Sequence, residues 1–222
     1  LQTQRDFIAD AAHELRTPLT ALQLQAQLLE RASDLDARQA AIGDLRAGLE
    51  RATHVVQQLL ALARAEPGAS QPAPVAVDLA DLCRQSVIDH TALAATRHID
   101  LGLAECPPGV SVTGQTDALR TLLDNLVANA VRYTPAGGRV DVRCGVDEQD
   151  VWLEVQDNGP GIPLQERERV FDRFYRRAGQ AVSGSGLGLA IVQAIARQHD
   201  ARVTLDDAPG GGLLARVAFR KA

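Results

Sequence analysis

One histidine in this chain of 222 residues lies in a pattern suited to accepting a transferred group. The carboxylate of Glu14 follows His13 directly, and the hydroxyl of Thr17 comes four residues after the histidine. A neutral imidazole is a nucleophile near pH 7, and a neighbouring carboxylate is placed to take its other ring proton. Residues four apart share one face of a helix, so Thr17 is expected on the side of His13. The alternative for Thr17 is a hydroxyl that bonds its own helix backbone before Pro18.

Two asparagines further along the chain form a second candidate site. Asn125 and Asn129 are four residues apart in an otherwise apolar helical pattern, so both amides face the same way. Amide oxygens are suitable ligands for Mg²⁺, which bridges substrate phosphates. Arg132 and Tyr133 follow one turn later and offer a charge and a hydroxyl to a phosphate. The alternative is that both asparagines are simply exposed helix residues.

An aspartate at the end of an apolar run is a candidate for recognising a base. Asp157 opens a short turn that also contains Gly159, Gly161 and Ile162, and two prolines stiffen this turn. A carboxylate only accepts hydrogen bonds, and adenine offers an amine donor where guanine offers a carbonyl. Asp157 at the base of a pocket would therefore select adenine. The alternative is a plain turn.

A glycine-rich stretch precedes the last helical pattern. It is neither a Rossmann nor a Walker loop, since no strand runs directly into it and no Lys-Ser/Thr pair ends it. Glycines let the backbone approach an anion, and the helix that follows supplies unpaired N–H groups, so the stretch predicts a phosphate cradle. The alternative is a flexible loop. The candidate binding residues are Gly184, Gly186, Leu187, Gly188 and Leu189.

A segment of aromatic, basic and small residues separates the aspartate from these glycines. Aromatic residues between 170 and 176 would anchor one end of it, and small residues up to Ser183 would let it close over a nucleotide. Arg173 and Arg176 are candidates to steady a terminal phosphate. The alternative is that each arginine lays its aliphatic stem on the aromatic anchor.

Composition limits the class of protein. The net charge of -5 argues against direct nucleic-acid binding. Cys83, Cys106 and Cys144 are odd in number and lack metal-ligand spacing, so they are interpreted as a reduced set. The sequence contains neither a membrane-spanning apolar run nor a signal peptide. Because there is no methionine at all, the chain is interpreted as a fragment whose preceding part holds the sensor.

Residues 1–66 have the apolar spacing of two helices. The pattern predicts an antiparallel hairpin joined near Ser33, Asp34 and Asp36, all candidate helix caps, with Pro18 interrupting the first helix. A lone hairpin has little core, and Leu24, Leu28, Leu60 and Leu62 lie off the seams, so a homodimer is expected to complete a four-helix bundle. The predicted seams are Ile8, Ala12, Leu15, Leu19, Leu22, Ala26 and Leu29, then Ile42, Leu45, Leu49, Ala52, Val56, Leu59 and Ala63.

The remaining chain predicts a separate domain. Residues 67–77 are expected to be a linker rich in proline, glycine and serine, and 78–222 to form the second domain. We expect a helix capped by Asp78, a helix over Thr116–Tyr133 and a helix near 187–199. Short strands are expected near 98–103, 110–113, 140–146, 151–156, 201–206 and 213–219. The fold class is therefore α+β, a helical hairpin followed by a two-layer α/β sandwich.

Taken together, these motifs resemble the sensor histidine kinases of bacterial two-component systems. His-Glu-Leu-Arg-Thr-Pro-Leu from His13 matches the phospho-acceptor motif of that family, and 124–135 matches its asparagine motif. The stretches 157–161, 171–174 and 184–188 match its other nucleotide-binding motifs. One departure is Leu213, where the family often has Thr or Ser, and it puts one adenine-side hydrogen bond in doubt.

The resemblance implies a dimerization and histidine phosphotransfer domain followed by a catalytic domain with the Bergerat ATP-binding fold. It implies Mg²⁺ and ATP as cofactors, autophosphorylation of His13, a response regulator as partner and a membrane-embedded sensor upstream. Glu14 would act as general base, and Thr17 would orient water for dephosphorylating the regulator. The rival interpretations are an ATPase or protein-serine kinase of the same nucleotide fold, and a degenerate kinase that serves as a dimeric scaffold.

Overall fold

The computed structural model describes residues 2–32, 34–65, 72–176 and 185–221, without the side chains of 2–10, 13 and 14. The chain divides into two compact units, Leu1–Leu60 and Ala61–Ala222. The first contains most of the predicted hairpin, and the second contains the α/β domain.

The hairpin consists of α1 (Gln2–Arg31) and α2 (Leu35–Arg64). Asp34 caps α2, because its Oδ1 accepts a hydrogen bond of 2.7 Å from the backbone N–H of Ala37. Of the other cap candidates, Asp36 lies in the first turn of α2, and Ser33 falls outside the described residues. α2 returns along α1, since Gly48 lies so close to Leu22 and Gln25 that a side chain there would collide with them.

The sequence predicted that Pro18 interrupts the first helix and kinks or loosens it. The predicted break is wrong, because α1 continues through this residue as one helix. Proline removes one N–H from the helix ladder and crowds the carbonyl four residues earlier. In a helix of 30 residues the remaining backbone hydrogen bonds are enough to carry the chain through this single loss. Two residues after Pro18, the hydroxyl of Thr20 donates a hydrogen bond of 2.9 Å to the carbonyl of Arg16.

The two predicted seams mix two faces of the hairpin. In α2 the positions that lose most solvent contact are spaced alternately three and four apart and include Gly48, Ala52 and Leu59. Ile42, Leu49 and Val56, which were assigned to the same seam, are instead 42%, 58% and 42% exposed. With 3.6 residues per turn, apolar residues at adjacent positions form a stripe that is wider than one line of contacts. The sequence pattern alone does not show which edge of this stripe is buried.

The predicted seam of α1 also mixes two faces. In addition, one leucine of α2 that was expected to be buried only by a second copy is buried in the single chain. Leu15, Leu22 and Leu29 are half-buried, whereas Leu19 is 55% exposed. Leu62 is buried within the single chain, although the sequence pattern assigned it to the dimer. Leu24, Leu28 and Leu60 remain exposed as expected.

The second unit is a two-layer sandwich, as the sequence predicted. Its three longer helices are α3 (Leu79–Thr96), α4 (Thr116–Tyr133) and α5 (Gly188–Gln198). Its strands are β1 (Val75–Asp78), β2 (Asp100–Leu103), β3 (Ser111–Gly114), β4 (Arg139–Val146), β5 (Asp150–Asp157), β6 (Ala201–Asp207) and β7 (Leu213–Arg220). Two short 3₁₀ turns, Leu164–Glu166 and Arg169–Phe171, lie between β5 and α5.

The main sheet has the order β2-β4-β5-β7-β6. The β2–β4 pair is parallel, and the β4–β5, β5–β7 and β6–β7 pairs are antiparallel. α3, α4 and α5 pack against this sheet and against one another, and Leu122, Val140 and Ile191 are among the fully buried residues between the layers. Asp78 caps α3 as predicted, because its Oδ1 accepts hydrogen bonds from the N–H groups of Ala80 and Asp81.

The predicted linker overlaps a strand. Residues 75–77 were assigned to the linker, but they belong to β1, which pairs antiparallel with β3. Val77 lies opposite Val112, and both are buried. The prolines at 72 and 74 indicated a linker. The alternation of side-chain types that follows them was too short to predict a strand.

Candidate functional site

The two asparagines of α4 meet the first residue of α5. A side chain at Gly188 would have its Cβ 3.2 Å from Oδ1 of Asn125 and 3.1 Å from Nδ2 of Asn129. Both amides are half-buried and face the same way, as their spacing predicted. The Nδ2 group of Asn125 donates a hydrogen bond of 2.7 Å to the carbonyl of Thr121, which directs its oxygen away from its own helix backbone. The asparagine pair and the glycine-rich stretch, which are far apart in the sequence, therefore lie side by side in one candidate site.

The N-terminus of α5 provides donors at this place. Leu187, which precedes the helix, is fully buried and makes no side-chain capping bond within the described part of the chain. The first N–H groups of a helix have no partner inside the helix and favour an anion. Gly188 and the half-buried Leu189 open the helix, so its first turn presents backbone donors beside the asparagines.

The glycine-rich stretch is joined to the aromatic segment by its backbone. Gly186 has φ +72°, and a Cβ there would lie 2.7 Å from the carbonyl carbon of Phe174. The N–H of Phe174 donates a hydrogen bond of 3.0 Å to the carbonyl of Gly186, and Phe174 itself has φ 62°. The two stems of the predicted lid are thus held together. Gly184 and residues 177–183 lie outside the described residues.

The two arginines of this segment differ in exposure. Arg173 is half-buried and Arg176 is exposed. Close by in the sequence, the guanidinium of Arg169 lies 4.9 Å from the ring centre of Tyr175, which shows how the aromatic anchor holds a basic side chain.

Asp157 is the buried carboxylate of the site, with 7% exposure at the end of β5. Its Oδ1 accepts hydrogen bonds from the N–H groups of Gly159 at 2.9 Å and Leu213 at 3.2 Å. Burial raises the pKa of Asp157 above its ordinary value, and these two backbone donors oppose that rise. Neither bond uses Oδ2, so the carboxylate keeps an oxygen with which to accept a donor from a base.

The turn after Asp157 depends on close backbone approach. Gly161 has φ +64°, and a Cβ there would lie 3.1 Å from the carbonyl oxygen of Gly212. Gly212 has φ +103°, and a side chain there would collide with the carbonyl of Asp157. Ile162 accepts a hydrogen bond of 3.0 Å from Nε of Arg167 through its carbonyl. These contacts place the start of β7 beside Asp157, at the predicted adenine pocket.

The end of α4 lies beside the same turn. A Cβ at Gly159 would lie 3.2 Å from the carbonyl oxygen of Tyr133, so the asparagine helix and the aspartate turn are neighbours. Arg132 and Tyr133 are both half-buried in the last turn of α4.

The phospho-acceptor motif lies in the other unit. His13, Glu14 and Thr17 all belong to α1, and Thr17 is exposed. The side chains of His13 and Glu14 are outside the described part of the structure.

Sequence reasoning missed the part that Gly212 plays. The three glycines at 210–212 were noted only as the place where Leu213 departs from the family pattern. All three have positive φ, and a run of glycines directly before a strand was the available signal for a close backbone contact. At the departure itself, the Leu213 backbone donates to Asp157, and this contact does not depend on the side chain.

Comparison with known proteins assigns both parts of the chain to known domain families. Residues 3–68 match the His Kinase A (phospho-acceptor) domain, and residues 114–222 match the histidine kinase-, DNA gyrase B- and HSP90-like ATPase family. The sensor protein QseC of Escherichia coli O157:H7 is 42% identical over 217 residues, which are 97% of this chain and 47% of that protein. The chain thus spans about half the length of this relative.

Two further relatives are informative. The signal transduction histidine-protein kinase/phosphatase MprB of Mycolicibacterium smegmatis is 37% identical over 95% of this chain and 44% of its own length. The solved structure of the cytoplasmic segment of histidine kinase QseC has a TM-score of 0.55 and 32% identity, covering 78% of this chain and 95% of that one. The chain belongs to the sensor histidine kinase family, and its second unit has the ATP-binding fold that this family shares with DNA gyrase B.

No helix in the described ranges has the length and apolar character needed to cross a membrane.

Proposed function

We propose that this chain uses ATP to phosphorylate its own His13 and passes the phosphoryl group to an aspartate of a response regulator. The observation that carries the proposal is the meeting of Asn125 and Asn129 with Gly188 at the start of α5. This meeting joins the metal-ligand candidates to a phosphate-binding helix terminus in a chain whose α1 bears the acceptor motif.

Each end of ATP has a matching group. Oδ2 of Asp157 accepts the exocyclic amine of adenine, since Oδ1 is occupied by the backbone N–H groups of Gly159 and Leu213. The first turn of α5 binds phosphate oxygens through its N–H groups, and the glycines around it leave room for close approach. Arg132, Tyr133 and the lid arginines, Arg173 and Arg176, complete the phosphate side.

The amide oxygens of Asn125 and Asn129 fit Mg²⁺, because they are hard neutral donors beside the phosphate-binding helix terminus. When bound, Mg²⁺ would neutralise charge on the phosphates. The two amides would hold that ion.

The transfer itself needs little covalent help from the protein. One imidazole nitrogen of His13 forms a bond to the γ-phosphorus while the bond from that phosphorus to the oxygen of ADP breaks. Glu14 takes or shares the proton on the other ring nitrogen and so holds the reactive tautomer. Arg173 and Arg176 stabilise charge on the transferred group.

We also assign a phosphatase role to Thr17, an exposed hydroxyl one turn after His13. There it would orient the water that hydrolyses the phosphorylated regulator. The relative MprB bears the name of a kinase/phosphatase, and this supports the assignment. Thr17→Ala should leave autophosphorylation intact and slow dephosphorylation of the regulator. Equal loss of both activities would contradict a separate role for the hydroxyl.

The exposed apolar stripe of the hairpin supports a homodimer through residues 1–66. Four large apolar side chains of the hairpin are more exposed to solvent than is usual in a soluble protein. They are Leu19 on α1 and Ile42, Leu49 and Val56 on α2. Ile42, Leu49 and Val56 recur every seven residues, which is the period of helices that pack side by side in a bundle. A second copy of the hairpin would cover the stripe.

The QseC match supports a place for this chain in a larger protein. The solved segment that it resembles is described as cytoplasmic, and the corresponding curated proteins are about twice as long as the matched region. We propose that this chain likewise works as the cytoplasmic portion of a sensor, with the sensing and membrane parts lying outside the match.

The test is incubation with γ-labelled ATP and Mg²⁺, followed by acid or alkali. Wild type should carry label that acid removes and alkali does not, as expected of phosphohistidine. His13→Ala should carry none while it binds ATP normally by calorimetry. Label on the His13→Ala protein, or acid-stable label on wild type, would overturn the proposal.

A further inference from the structure

All three cysteines of the chain lie together, although they are far apart in the sequence. Cys83 is on α3, Cys106 follows β2, and Cys144 is in β4. Their sulfur atoms all lie within 4.8 Å of one another. The sequence showed no metal-ligand spacing because the three cysteines are far apart along the chain. The fold nevertheless brings them close together in space.

The backbone holds the three thiols in place. The segment after β2 continues alongside β4, because the N–H of Ala104 donates to Val142 at 2.8 Å and the N–H of Cys144 donates to Glu105 at 3.0 Å. α3 packs across β2 and β4 and brings Cys83 over them. Cys83 and Cys144 are essentially fully buried, so their positions are set by core packing.

The separations suit a single metal ion. A thiolate sulfur lies about 2.3 Å from zinc, which places the sulfurs of one ion about 3.8–4.0 Å apart. Sulfurs already within 4.8 Å reach that spacing by small side-chain rotations, without a change in the backbone. A set of thiolates selects soft ions such as Zn²⁺ over Mg²⁺ or Ca²⁺.

An opening to solvent leads to the cluster. A surface pocket of about 530 Å³ is lined by Cys106 and Cys144 together with Glu105 and Trp152. Cys106 is half-buried, so it stands where an ion would enter. The pocket also leaves space for a fourth ligand from solvent, which a tetrahedral ion with three protein ligands needs.

We propose that Cys83, Cys106 and Cys144 form a three-thiolate site for one soft, thiophilic metal ion of the Zn²⁺ class. The ion would tie α3, the segment after β2 and strand β4 to one another. The site is separate from the nucleotide pocket. Cys144 is four residues along β4 from Val140, the strand partner of Asp157, which corresponds to about 13 Å.

The chain is well suited to a direct test because it has only these three cysteines. The reduced 222-residue protein, freed of metal, is titrated with Cd²⁺ as a spectroscopic probe and with Zn²⁺ in parallel. We expect an ultraviolet thiolate-to-cadmium band that saturates at one ion per chain with the intensity of three cadmium–thiolate bonds. The half-buried Cys106 should become protected from a thiol reagent when the ion binds, whereas Cys83 and Cys144 are shielded by packing in either state. Zn²⁺ should compete for the site and raise Tm.

Cys106→Ser is the best variant, because Cys106 lies at the rim and its replacement should leave the core packed. It should weaken Cd²⁺ and Zn²⁺ binding at least about 100-fold and remove the rise in Tm. ATP binding should be retained, which shows that the variant is folded. His54→Ala, which removes an exposed histidine of α2, serves as the control for adventitious zinc and should bind as wild type does.

Three results would overturn the proposal. One is the absence of a stoichiometric thiolate band, the second is a band with the intensity of only one or two cadmium–thiolate bonds, and the third is unchanged metal affinity in Cys106→Ser. The first would show a set of packed, unliganded thiols, and each of the others would show that the three cysteines do not bind one ion together. Because the assay reads metal binding and thermal stability, its failure would leave the proposed kinase reaction untouched.

Discussion

The two units of this protein bury their apolar residues to very different extents. In the hairpin, Leu19 and Leu49 are 55% and 58% exposed, whereas Leu122, Val140 and Ile191 in the α/β unit are fully buried. The α/β unit closes a core of its own between helices and sheet. The hairpin has only two helices and cannot enclose its stripe.

This difference suits the two tasks that we propose. A unit that closes on itself can hold its groups rigidly. The proposed nucleotide site needs such rigidity, because the backbone comes close to other backbone at Gly186 and Gly212 and to the asparagine side chains at Gly188. A unit that a second copy completes, as we propose for the hairpin, would bring the acceptor helices of two chains into one bundle.

Gly212→Ala should damage the α/β unit most. Its new Cβ would collide with the carbonyl of Asp157, so the turn must move, and ATP affinity should fall at least about 100-fold with a loss of about 3 kcal/mol in the free energy of unfolding. Denaturant unfolding and calorimetry measure the two effects.

Gly211→Ala is its matched control. Gly211 has φ +99°, close to the +103° of Gly212, but nothing lies within 4 Å of its Cβ position. It should show only the cost of a strained backbone, about 1–2 kcal/mol, with ATP binding nearly intact. Equal effects of the two substitutions would contradict the role of the contact with Asp157.

Asn129→Ala should lower the affinity for Mg-ATP about 100-fold or more without unfolding the domain. The amide is half-buried beside Gly188, and its loss deprives the ion of a ligand. Calorimetry with Mg²⁺ and with a chelator separates this effect from a general loss of nucleotide binding, since the difference from wild type should shrink in the chelator. Asp117→Asn, an exposed change on the same helix, should leave binding unchanged. Unaltered affinity in Asn129→Ala would remove it from the site.

Leu49→Gln combined with Val56→Gln should dissociate the dimer and leave the α/β unit unaffected. Each dimer would lose four apolar side chains from its interface, so the dissociation constant should rise at least about 10³-fold. Light scattering during gel filtration measures the mass, and calorimetry should show normal ATP affinity. Leu93→Gln removes a leucine that is 44% exposed on α3 and should not change the mass. A double variant that stays dimeric would place the interface elsewhere.

Asp157→Asn should have the smallest effect on stability, and a pH-dependent one. The pKa of Asp157 is raised above 3.8 by burial, so ionising it costs folding free energy. This cost is absent below the unfolded pKa and appears as the pH rises through the raised pKa. The variant should therefore be more stable than wild type at pH 7, and the difference should vanish towards pH 3.

Denaturant unfolding across this pH range measures the effect. Since the amide lacks the charge and one of the two acceptor oxygens of the carboxylate, and has an NH2 donor in place of that oxygen, ATP affinity should fall about tenfold or more in the same variant. A stability difference that grows as the pH falls would contradict burial as the cause of the raised pKa.

Local pattern was sufficient for most of the elements. The predicted helix over Thr116–Tyr133 has the bounds of α4, and the hairpin of β4 and β5 lies where alternation placed it. The seam of the hairpin was harder to predict. Apolar residues at adjacent positions such as Leu59 and Leu60 both fit a helical stripe, and only packing decides that Leu59 is buried while Leu60 is exposed.

The sequence by itself determined the family, the two kinds of unit and the identity of the motif residues, because these depend on residue type and on spacing within a few turns of chain. The tertiary structure decided which distant residues touch. Only it shows that Gly188 meets the asparagines, that Gly212 packs on Asp157 and that the three cysteines converge. The physical reason is that sheet pairing and helix packing join residues whose separation along the chain carries no periodic signal.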